Sequence, residues 1–371
     1  MNHGIAAILC AVAIVIFAAR SSAQAPNETS ESKTTKELQG YLDSLAAENR
    51  LSGAILVARN GIPIASKAAG VANRTTGTPN TLETKFNLGS LNKMFTAVAV
   101  AQLAQQGRLS FDDAISKHLP DYPNKEVANK VTLHQLLTHT SGMGSYTNDK
   151  FAAQRSQLLT VAAHLPLIVN EPLAFTPGEK FQYSNSGFMV LGAIIEKLSG
   201  QNYYDYVRDH VFQPAGMSST GFYEPENQLP DLAIGYTKMD ANGARSEVEK
   251  ENTDLREIRG GPAGGGYSTV GDLLKFHLAL RDHKLLDDEH TRLITTGKVE
   301  ASGPIGKYAY GFGDKIFAGK HIVGHNGGFP GIAANFEMYP ELGYTAVILM
   351  NSDPPMMMPV IMKIRELLPA G

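Results

Sequence analysis

The sequence contains a single cysteine, Cys10, and no tryptophan. Cys10 lies in an apolar run near the start of the chain, so the rest of the chain offers no disulfide and no thiol nucleophile. Lysine and arginine form no block and the formal net charge is −3, so nothing indicates a nucleic-acid partner. The lack of tryptophan and the scattered aromatic residues also leave no stacking platform for single strands.

Familiar motifs for metals and nucleotides are missing as well. There is no HExxH segment, and the histidines have no spacing typical of a zinc site. The glycine-rich segment at 260–266 has neither the spacing nor the preceding strand of a phosphate-binding loop. The segment GYSTV at 266–270 lacks the second glycine of a nucleophile elbow. We therefore predict no metal site and no cofactor.

The first residues are typical of a secretory signal peptide. An apolar run from Ile5 to Ala19 is followed by small residues, which predicts a signal peptide at 1–23. An uncleaved anchor is the alternative, but the run is shorter than the roughly 20 residues that span a bilayer. No later segment is apolar enough to span, so we expect a periplasmic or secreted protein with no membrane span after signal removal. Residues 24–35 are polar and predict a linker.

Hydrophobic patterning predicts one α+β domain at 36–371. Two β-rich runs flank Asn60-Gly61, a strong hairpin signal because a type I′ turn needs positive φ at both central residues. The predicted strands are 53–59, 62–67, 310–317, 321–325, 332–339 and 344–351. The predicted helices are 36–49, 90–106, 132–137, 188–198, 203–211, one that begins near 270, and 357–368. Short connections between the terminal strands favour an antiparallel sheet flanked by helices, built from 36–89 and 256–371, with a mainly helical part at 90–255 inserted between.

One candidate nucleophile stands in the segment GSLNKMF, where Ser90 precedes Lys93 by three residues. On a helix this spacing puts both side chains on one face, and apolar neighbours would desolvate the amine and lower its pKa. The same spacing recurs at Ser30 and Lys33 in the predicted linker, so the motif alone is weak. A buried serine and lysine with a purely structural role are an equal alternative.

Two further segments could complete such a site. Tyr183 and Asn185, in FQYSNSGF, stand directly before an apolar helix and offer a phenol and an amide. Taken alone, they are more typical of an exposed tyrosine and a helix cap. His325 begins the segment HNGG, whose glycines let a ligand approach the backbone closely. Taken alone, that segment is more typical of a hairpin turn.

The three segments occur in the order SxxK, YxN and HxG. This pattern resembles the serine β-lactamase and penicillin-binding-protein superfamily, closest to the branch of class C β-lactamases, D-alanyl-D-alanine carboxypeptidases, D-aminopeptidases and related esterases. The stretches SGAILVARNGIPIASKAAGVANR, VTLHQLLTHTSGM, FTPGEKFQYSNSGFMVLGAIIEKLSG and VGHNGGFPG carry the same likeness. It extends over about residues 36–367.

The resemblance implies a role for each matching residue. Ser90 would be the acylated nucleophile, and Lys93 and Tyr183 would share the general acid and base work, with the first base left open. A Tyr183 phenolate is one option, because a nearby Lys93 cation lowers the pKa of a phenol. The backbone N–H groups of Ser90 and Gly328 would form the oxyanion hole.

The resemblance also implies a set of substrate-binding residues, namely Asn185, His325, Asn326 and Gly327. His325 would stand where class C β-lactamases have a lysine. A lysine is a fixed positive charge for a substrate carboxylate, whereas a histidine is mostly neutral at pH 7. Efficient β-lactam hydrolysis is therefore not expected.

The expected function is a secreted serine hydrolase that forms an acyl-enzyme with esters or D-amino-acid amides. A D-alanyl-D-alanine carboxypeptidase or a weak β-lactamase that uses the same residues is one alternative. A non-catalytic binder of cell-wall fragments is another, although a pure binder has no need of Ser90, Lys93 and Tyr183 together. The partner would be a small or peptide-like acyl substrate, and the oligomeric state stays open.

Overall fold

A computed structural model describes Met1 and residues 30–147, 149–224, 229, 231–240, 244–301 and 306–369. The predicted signal peptide, apart from Met1, and residues 24–29 lie outside this part of the chain. Within it, no helix combines the length and the apolar character that crossing a membrane requires.

The centre of the fold is an eight-stranded sheet in which every neighbouring pair is antiparallel. In chain order the described strands are Gly53–Arg59 (β1), Ile62–Ala69 (β2), Val71–Asn73 (β3), Thr78–Pro79 (β4), Phe86–Asn87 (β5), Tyr236–Met239 (β6), Arg245–Glu251 (β7), Tyr267–Ser268 (β8), Val299–Glu300 (β9), Lys307–Tyr308 (β10), Gly313–Phe317 (β11), Lys320–Phe329 (β12), Ile332–Tyr339 (β13) and Tyr344–Met350 (β14). The order across the sheet is β2-β1-β14-β13-β12-β11-β10-β9. Strands from both ends of the described chain therefore meet in one sheet, as predicted.

Helices cover both faces of this sheet. They are Ser30–Ala47 (α1), Asn92–Gln105 (α2), Ile115–His118 (α3), Lys125–Lys130 (α4), Leu133–Leu137 (α5), Asp149–Gln154 (α6), Val161–His164 (α7), Asn185–Ser199 (α8), Tyr203–Val207 (α9), Gln213–Ala215 (α10), Val270–Arg281 (α11), Asp288–Thr295 (α12) and Met358–Leu367 (α13). On one face α1 and α13 share an apolar cluster with alternate residues of the central strands. On the other face α2, α8 and α11 share a larger cluster with the remaining strand residues. This arrangement confirms the predicted α+β class.

The hairpin between β1 and β2 forms as its turn residues dictate. Asn60 and Gly61 have φ values of 51° and 86°, the positive values that a type I′ turn requires. β1 then pairs on its other side with β14, from Gly53 opposite Met350 to Arg59 opposite Tyr344. This pairing joins a strand from the first part of the described chain to one from its last part.

The first helix begins earlier than predicted, so the linker prediction for 24–35 is wrong over residues 30–35. α1 starts at Ser30. Thr34 is buried one turn before Leu38, so the packed face extends into a stretch that residue types alone mark as polar. On the exposed side, Lys33 Nζ lies 3.8 Å from Glu37 Oε1 in an i,i+4 ion pair.

Helix α2 is buried nearly all round, as its apolar composition predicts. Phe95 meets Phe212 and Phe276 edge to face, with ring centroids 5.1 and 5.0 Å apart. The helix ends before Gly107, whose φ of 70° suits the left-handed position past a helix end. A helix fixed on all sides holds its first residues rigidly, and these carry the SxxK segment.

Candidate active site

Ser90 lies in a single 3₁₀ turn, Gly89–Leu91, that leads directly into α2. Lys93 lies in the first turn of α2, and its side chain is 0% exposed. The three-residue spacing brings the Lys93 amine to 3.3 Å from the Ser90 hydroxyl oxygen. The repeated pair at Ser30 and Lys33 differs in its surroundings, since the Lys33 side chain is 70% exposed.

The Lys93 amine has three polar neighbours. Besides Ser90 Oγ, it lies 2.8 Å from Asn185 Oδ1 and 2.6 Å from the carbonyl oxygen of Ala263. Burial lowers the pKa of Lys93 to about 7, and the nearby Glu257 carboxylate partly opposes this effect. A large fraction of the amine is therefore neutral near pH 7.

Tyr183 packs its ring against the same amine, with Lys93 Nζ 4.7 Å from the ring centroid. Burial raises the pKa of the Tyr183 phenol above its usual range, and the contact with Ser90 only partly offsets this. The option of a Tyr183 phenolate is therefore disfavoured, because desolvation outweighs any attraction to a lysine that is itself partly neutral. Tyr183 stands in the site as a neutral phenol.

His139 is buried beneath Tyr183, a position that motif matching missed. Its ring centroid is 4.2 Å from that of Tyr183 and 4.7 Å from that of Tyr308. Its Nδ1 accepts the backbone N–H of Ser184 at 3.0 Å, which orients the ring. Burial and the neighbouring Lys93 hold its pKa well below the usual range, so the imidazole is neutral. The VTLHQLLTHTSGM stretch contains this histidine, but only tertiary packing brings it beneath Tyr183.

Asn185 is the first residue of α8, and hydrogen bonds to both the oxygen and the nitrogen of its carboxamide orient the side chain. Its Oδ1 faces Lys93, while its Nδ2 donates to Ser145 Oγ at 3.2 Å. Ser184 caps the helix by accepting the N–H of Gly187 at 3.0 Å. The predicted cap is thus present, and it positions the amide beside Lys93.

His325 lies on β12 and faces Tyr183, with ring centroids 6.3 Å apart. Its Nδ1 is 2.5 Å from the carbonyl oxygen of Asn326, which can only accept, so Nδ1 carries the hydrogen. Nε2 therefore accepts the hydroxyl of Tyr308 at 2.8 Å. Burial, with the nearby Lys93, lowers the pKa of His325 to about 3. Both ring nitrogens are engaged and the ring is uncharged, so His325 supplies no positive charge.

Two glycines bring β12 against the turn that carries Ser90. A Cβ added to Gly327 would lie 2.0 Å from the carbonyl oxygen of Leu88 and 3.0 Å from the nitrogen of Ser90. A Cβ on Gly89 would lie 3.1 Å from the nitrogen of Gly328. The backbone nitrogens of Ser90 and Gly328 are thus on two segments in close contact, where side chains have no room.

The edge of β12 at this point is open. Its pairing with β11 ends where Gly313 lies opposite Gly324, whereas β12 continues to Phe329 and pairs on its other side with β13. On the side away from β13, the backbone groups of residues 325–329 therefore pair with no described strand.

Asn326 departs from the predicted site. Side chains alternate along a strand, and a Cβ on Gly328 would meet Pro354, on the face away from Ser90. Asn326 shares that face and lines a cavity against α13. The structure thus brings Ser90, Lys93, Tyr183, Asn185, His325, Gly327 and Gly328 together, but not the Asn326 side chain.

A carboxylate also stands near Lys93. Glu257 accepts the hydroxyl of Tyr146, and its Oε2 would lie 2.9 Å from a Cβ on Gly265. Glu257 is partly exposed, and desolvation by the surrounding protein raises its pKa to about 7. No motif marks this residue in the sequence. In the described part of the chain, no group of three metal-ligating side chains is present.

We expect Gly327→Ala to lower kcat/KM about a hundredfold, because the methyl would force β12 away from Ser90 and small misplacements of a site are costly. Gly40→Ala on α1 is the matched control. A Cβ there meets nothing within 4 Å, so activity should stay unchanged and stability should rise by about 0.5–1 kcal/mol. Ester turnover and thermal unfolding measure both effects, and full activity of Gly327→Ala would contradict the close approach.

Comparison with known proteins gives a consistent relationship. Residues 38–369 match the family model described as Beta-lactamase. Penicillin-binding protein 4* of Bacillus subtilis (strain 168) is 31% identical, over 86% of this chain and 72% of that protein.

Solved structures agree with this relationship. The penicillin-binding protein from Bacillus halodurans has a TM-score of 0.77 at 32% identity, covering 88% of this chain and 99% of that one. The D-amino acid amidase from Ochrobactrum anthropi SV3 has a TM-score of 0.76 at 22% identity, covering 90% and 98%, and this likeness concerns the fold alone. The chain belongs to the beta-lactamase family and is a serine hydrolase related to the penicillin-binding proteins.

Proposed function

We propose that the protein hydrolyses esters or amides of D-amino-acid type through an acyl-enzyme on Ser90. The observation that carries the proposal is the buried Lys93 amine, 3.3 Å from Ser90 Oγ and with its pKa lowered to about 7. A nucleophilic serine needs a neighbouring base with a pKa near the working pH.

The three neighbours of Lys93 support Lys93 as the first base. A neutral amine has two hydrogens and one lone pair. The hydrogens can go to Asn185 Oδ1 and the carbonyl oxygen of Ala263, which only accept. The lone pair is then left for the third neighbour, the Ser90 hydroxyl. Tyr183, whose burial keeps the phenol protonated, suits the role of acid instead.

The proposed reaction has two halves. Ser90 Oγ gives its proton to Lys93 and bonds to the substrate carbonyl carbon, while the N–H groups of Ser90 and Gly328 hold the negative oxygen. The intermediate collapses as the leaving group departs with a proton from Tyr183, which Lys93 replaces. Water then attacks the acyl ester, and Ser90 regains its proton as the carboxylic acid is released.

We expect kcat/KM to rise about tenfold per pH unit below pH 7 and to level off above it, because only neutral Lys93 accepts the proton. Raising the pH through a pKa of about 7 deprotonates the lysine, so the limb must ascend. Stopped-assay turnover of a p-nitrophenyl ester between pH 5 and 9 measures it. A profile that is flat from pH 5 to 9 would contradict Lys93 as the base.

The charges near Ser90 favour binding of substrates that carry an ammonium group over substrates that carry a carboxylate. His325 is neutral, Lys93 is partly neutral, and the Glu257 carboxyl group lies close enough to Lys93 to raise its pKa. Glu257 is linked through Tyr146 to the segment whose Ser145 binds Asn185. By the family resemblance this is the acyl side of the substrate, where a D-amino acid has its amine.

We expect Glu257→Gln to lower kcat/KM about tenfold for a D-amino-acid amide with a free amine, relative to its N-acetyl form, because an ammonium–carboxylate contact is lost. The ascending pH limb should also move to lower pH, because the Glu257 charge holds the pKa of Lys93 up. Glu224→Gln, in the nearby pair with Arg259, is the control. An unchanged substrate ratio together with an unmoved limb would contradict this role of Glu257.

A substrate panel tests the function as a whole. We expect p-nitrophenyl esters and D-amino-acid amides to be turned over many times, D-Ala-D-Ala peptides less efficiently and nitrocefin poorly. A D-Ala-D-Ala carboxypeptidase would reverse the order of the peptides and amides. Intact-mass measurement separates the non-catalytic binder, since a stable adduct on Ser90 without product would show that the protein only captures its ligand.

We also propose that the protein is exported and acts outside the cytoplasm. The apolar run from Ile5 to Ala19 supports this, as does the likeness to penicillin-binding proteins. Sequencing the N-terminus of the protein recovered from a bacterial host tests it. A mature chain that starts near residue 24 is expected, and an intact Met1 would contradict cleavage.

A further inference from the structure

A cavity of about 270 Å³ lies between helix α13 and strands β11–β13, and His325 and Tyr308 are among its lining residues. This volume equals that of about nine water molecules in the liquid, and it approaches the volume of small ligand pockets. The residues that decide its chemistry are Lys315, Asn335, Glu337, Met358, Ile361 and Arg365. The reaction proposed above uses none of these residues.

The charged floor of this cavity has one positive charge in excess. The single Nε–H of Arg365 is shared between the two Glu337 carboxylate oxygens, at 3.0 and 3.2 Å. Glu337 also accepts a hydrogen bond from Arg365 Nη2 and one from the Tyr339 hydroxyl at 2.8 Å. Lys315 Nζ lies 3.8 Å from the same carboxylate, beyond hydrogen-bond distance. Arg365 and Lys315 are thus two cations beside one carboxylate, and Arg365 makes the hydrogen bonds to it. The Lys315 ammonium group can therefore donate its hydrogen bonds to another anion.

The same cavity is lined by a side-chain donor without a partner among the described residues. Asn335 is 4% exposed, and its Nδ2 has no hydrogen-bond acceptor among the described residues. A buried N–H group is normally paired, so this amide has room for an acceptor oxygen from a ligand or water.

The remaining wall is apolar and adaptable. It is formed by Ile322, Met357, Met358 and Ile361. Met358, which lines the cavity, is 43% exposed, and its neighbours on and before α13, Met356 and Met362, are 52% and 42% exposed. Flexible thioether side chains shape themselves to apolar ligands.

We propose that this cavity binds a carboxylate that carries a short apolar chain. The carboxylate accepts hydrogen bonds from Lys315 Nζ and Asn335 Nδ2, and the chain lies along Met357, Met358 and Ile361. Ser90, Lys93 and Tyr183 do not line this cavity, so binding there does not require the acyl transfer proposed above.

Titration calorimetry with octanoate tests the site, with octylammonium as the probe of opposite charge. We expect octanoate to bind and octylammonium not to. Lys315→Met and Asn335→Leu should each weaken octanoate binding about tenfold, the loss expected for one charge-assisted or buried hydrogen bond. Asn335→Asp, which replaces the donor by a negative charge at equal volume, should abolish binding.

Lys363→Met is the matched control, because Lys363 lies on α13 but pairs with Glu366 outside the cavity. It should bind octanoate like the unaltered protein, and thermal unfolding confirms that each variant folds. The proposal is overturned if octanoate does not bind, if octylammonium binds equally well, or if Lys315→Met and Asn335→Leu bind octanoate as tightly as Lys363→Met.

Discussion

Replacing Ser90 by alanine is expected to lower ester turnover by about four orders of magnitude or more, because the residue that forms the covalent intermediate is lost. The substitution removes one oxygen from a turn held by Leu88 and Gly327, so the fold should persist. Burst and steady-state release of p-nitrophenol measure the loss, and intact mass should show no acyl adduct.

Ser30→Ala is the natural control, because Ser30 and Lys33 repeat the same spacing at the start of α1. The Lys33 side chain is exposed and lies beside Glu37, so no buried amine is available to a serine there. We expect unchanged activity. If Ser90→Ala turned over ester as fast as the unaltered protein, nucleophilic catalysis by Ser90 would be excluded.

Sequence patterning predicted the elements whose signals are local. β1 and β13 have the predicted bounds, because long apolar runs ended by turn residues define them without outside help. The Asn60-Gly61 hairpin is confirmed for the same reason. The start of α1 was missed because the burial of Thr34 depends on its packing partners.

In the candidate active site, the sequence predicts which residues take part but not their contacts or their protonation. Motif order identifies Ser90 and Lys93. It does not show that the Nε2 atom of His325 is already hydrogen-bonded to Tyr308, because that contact depends on how the strands pair. The sign of the Tyr183 pKa shift depends on burial, which the sequence does not express. The face of Asn326 follows from strand alternation, which a motif match leaves out of account.

The strongest discrimination between the two candidate bases comes from Lys93→Met and Tyr183→Phe. We expect Lys93→Met to lower kcat/KM about a thousandfold or more and to abolish the ascending limb near pH 7, because among the described residues no other amine or imidazole contacts the Ser90 hydroxyl. Methionine resembles lysine in length and has no charge to bury, so the variant should fold.

Tyr183→Phe should lower kcat/KM about a hundredfold and keep the ascending limb, because the phenol acts only as an acid toward the leaving group. This loss should shrink for p-nitrophenyl esters, whose leaving group needs little protonation, and grow for amides. Kinetics of both variants on an ester and an amide between pH 5 and 9 decide between the two. If Tyr183→Phe abolished the limb and Lys93→Met retained it, Tyr183 rather than Lys93 would be the base despite its burial.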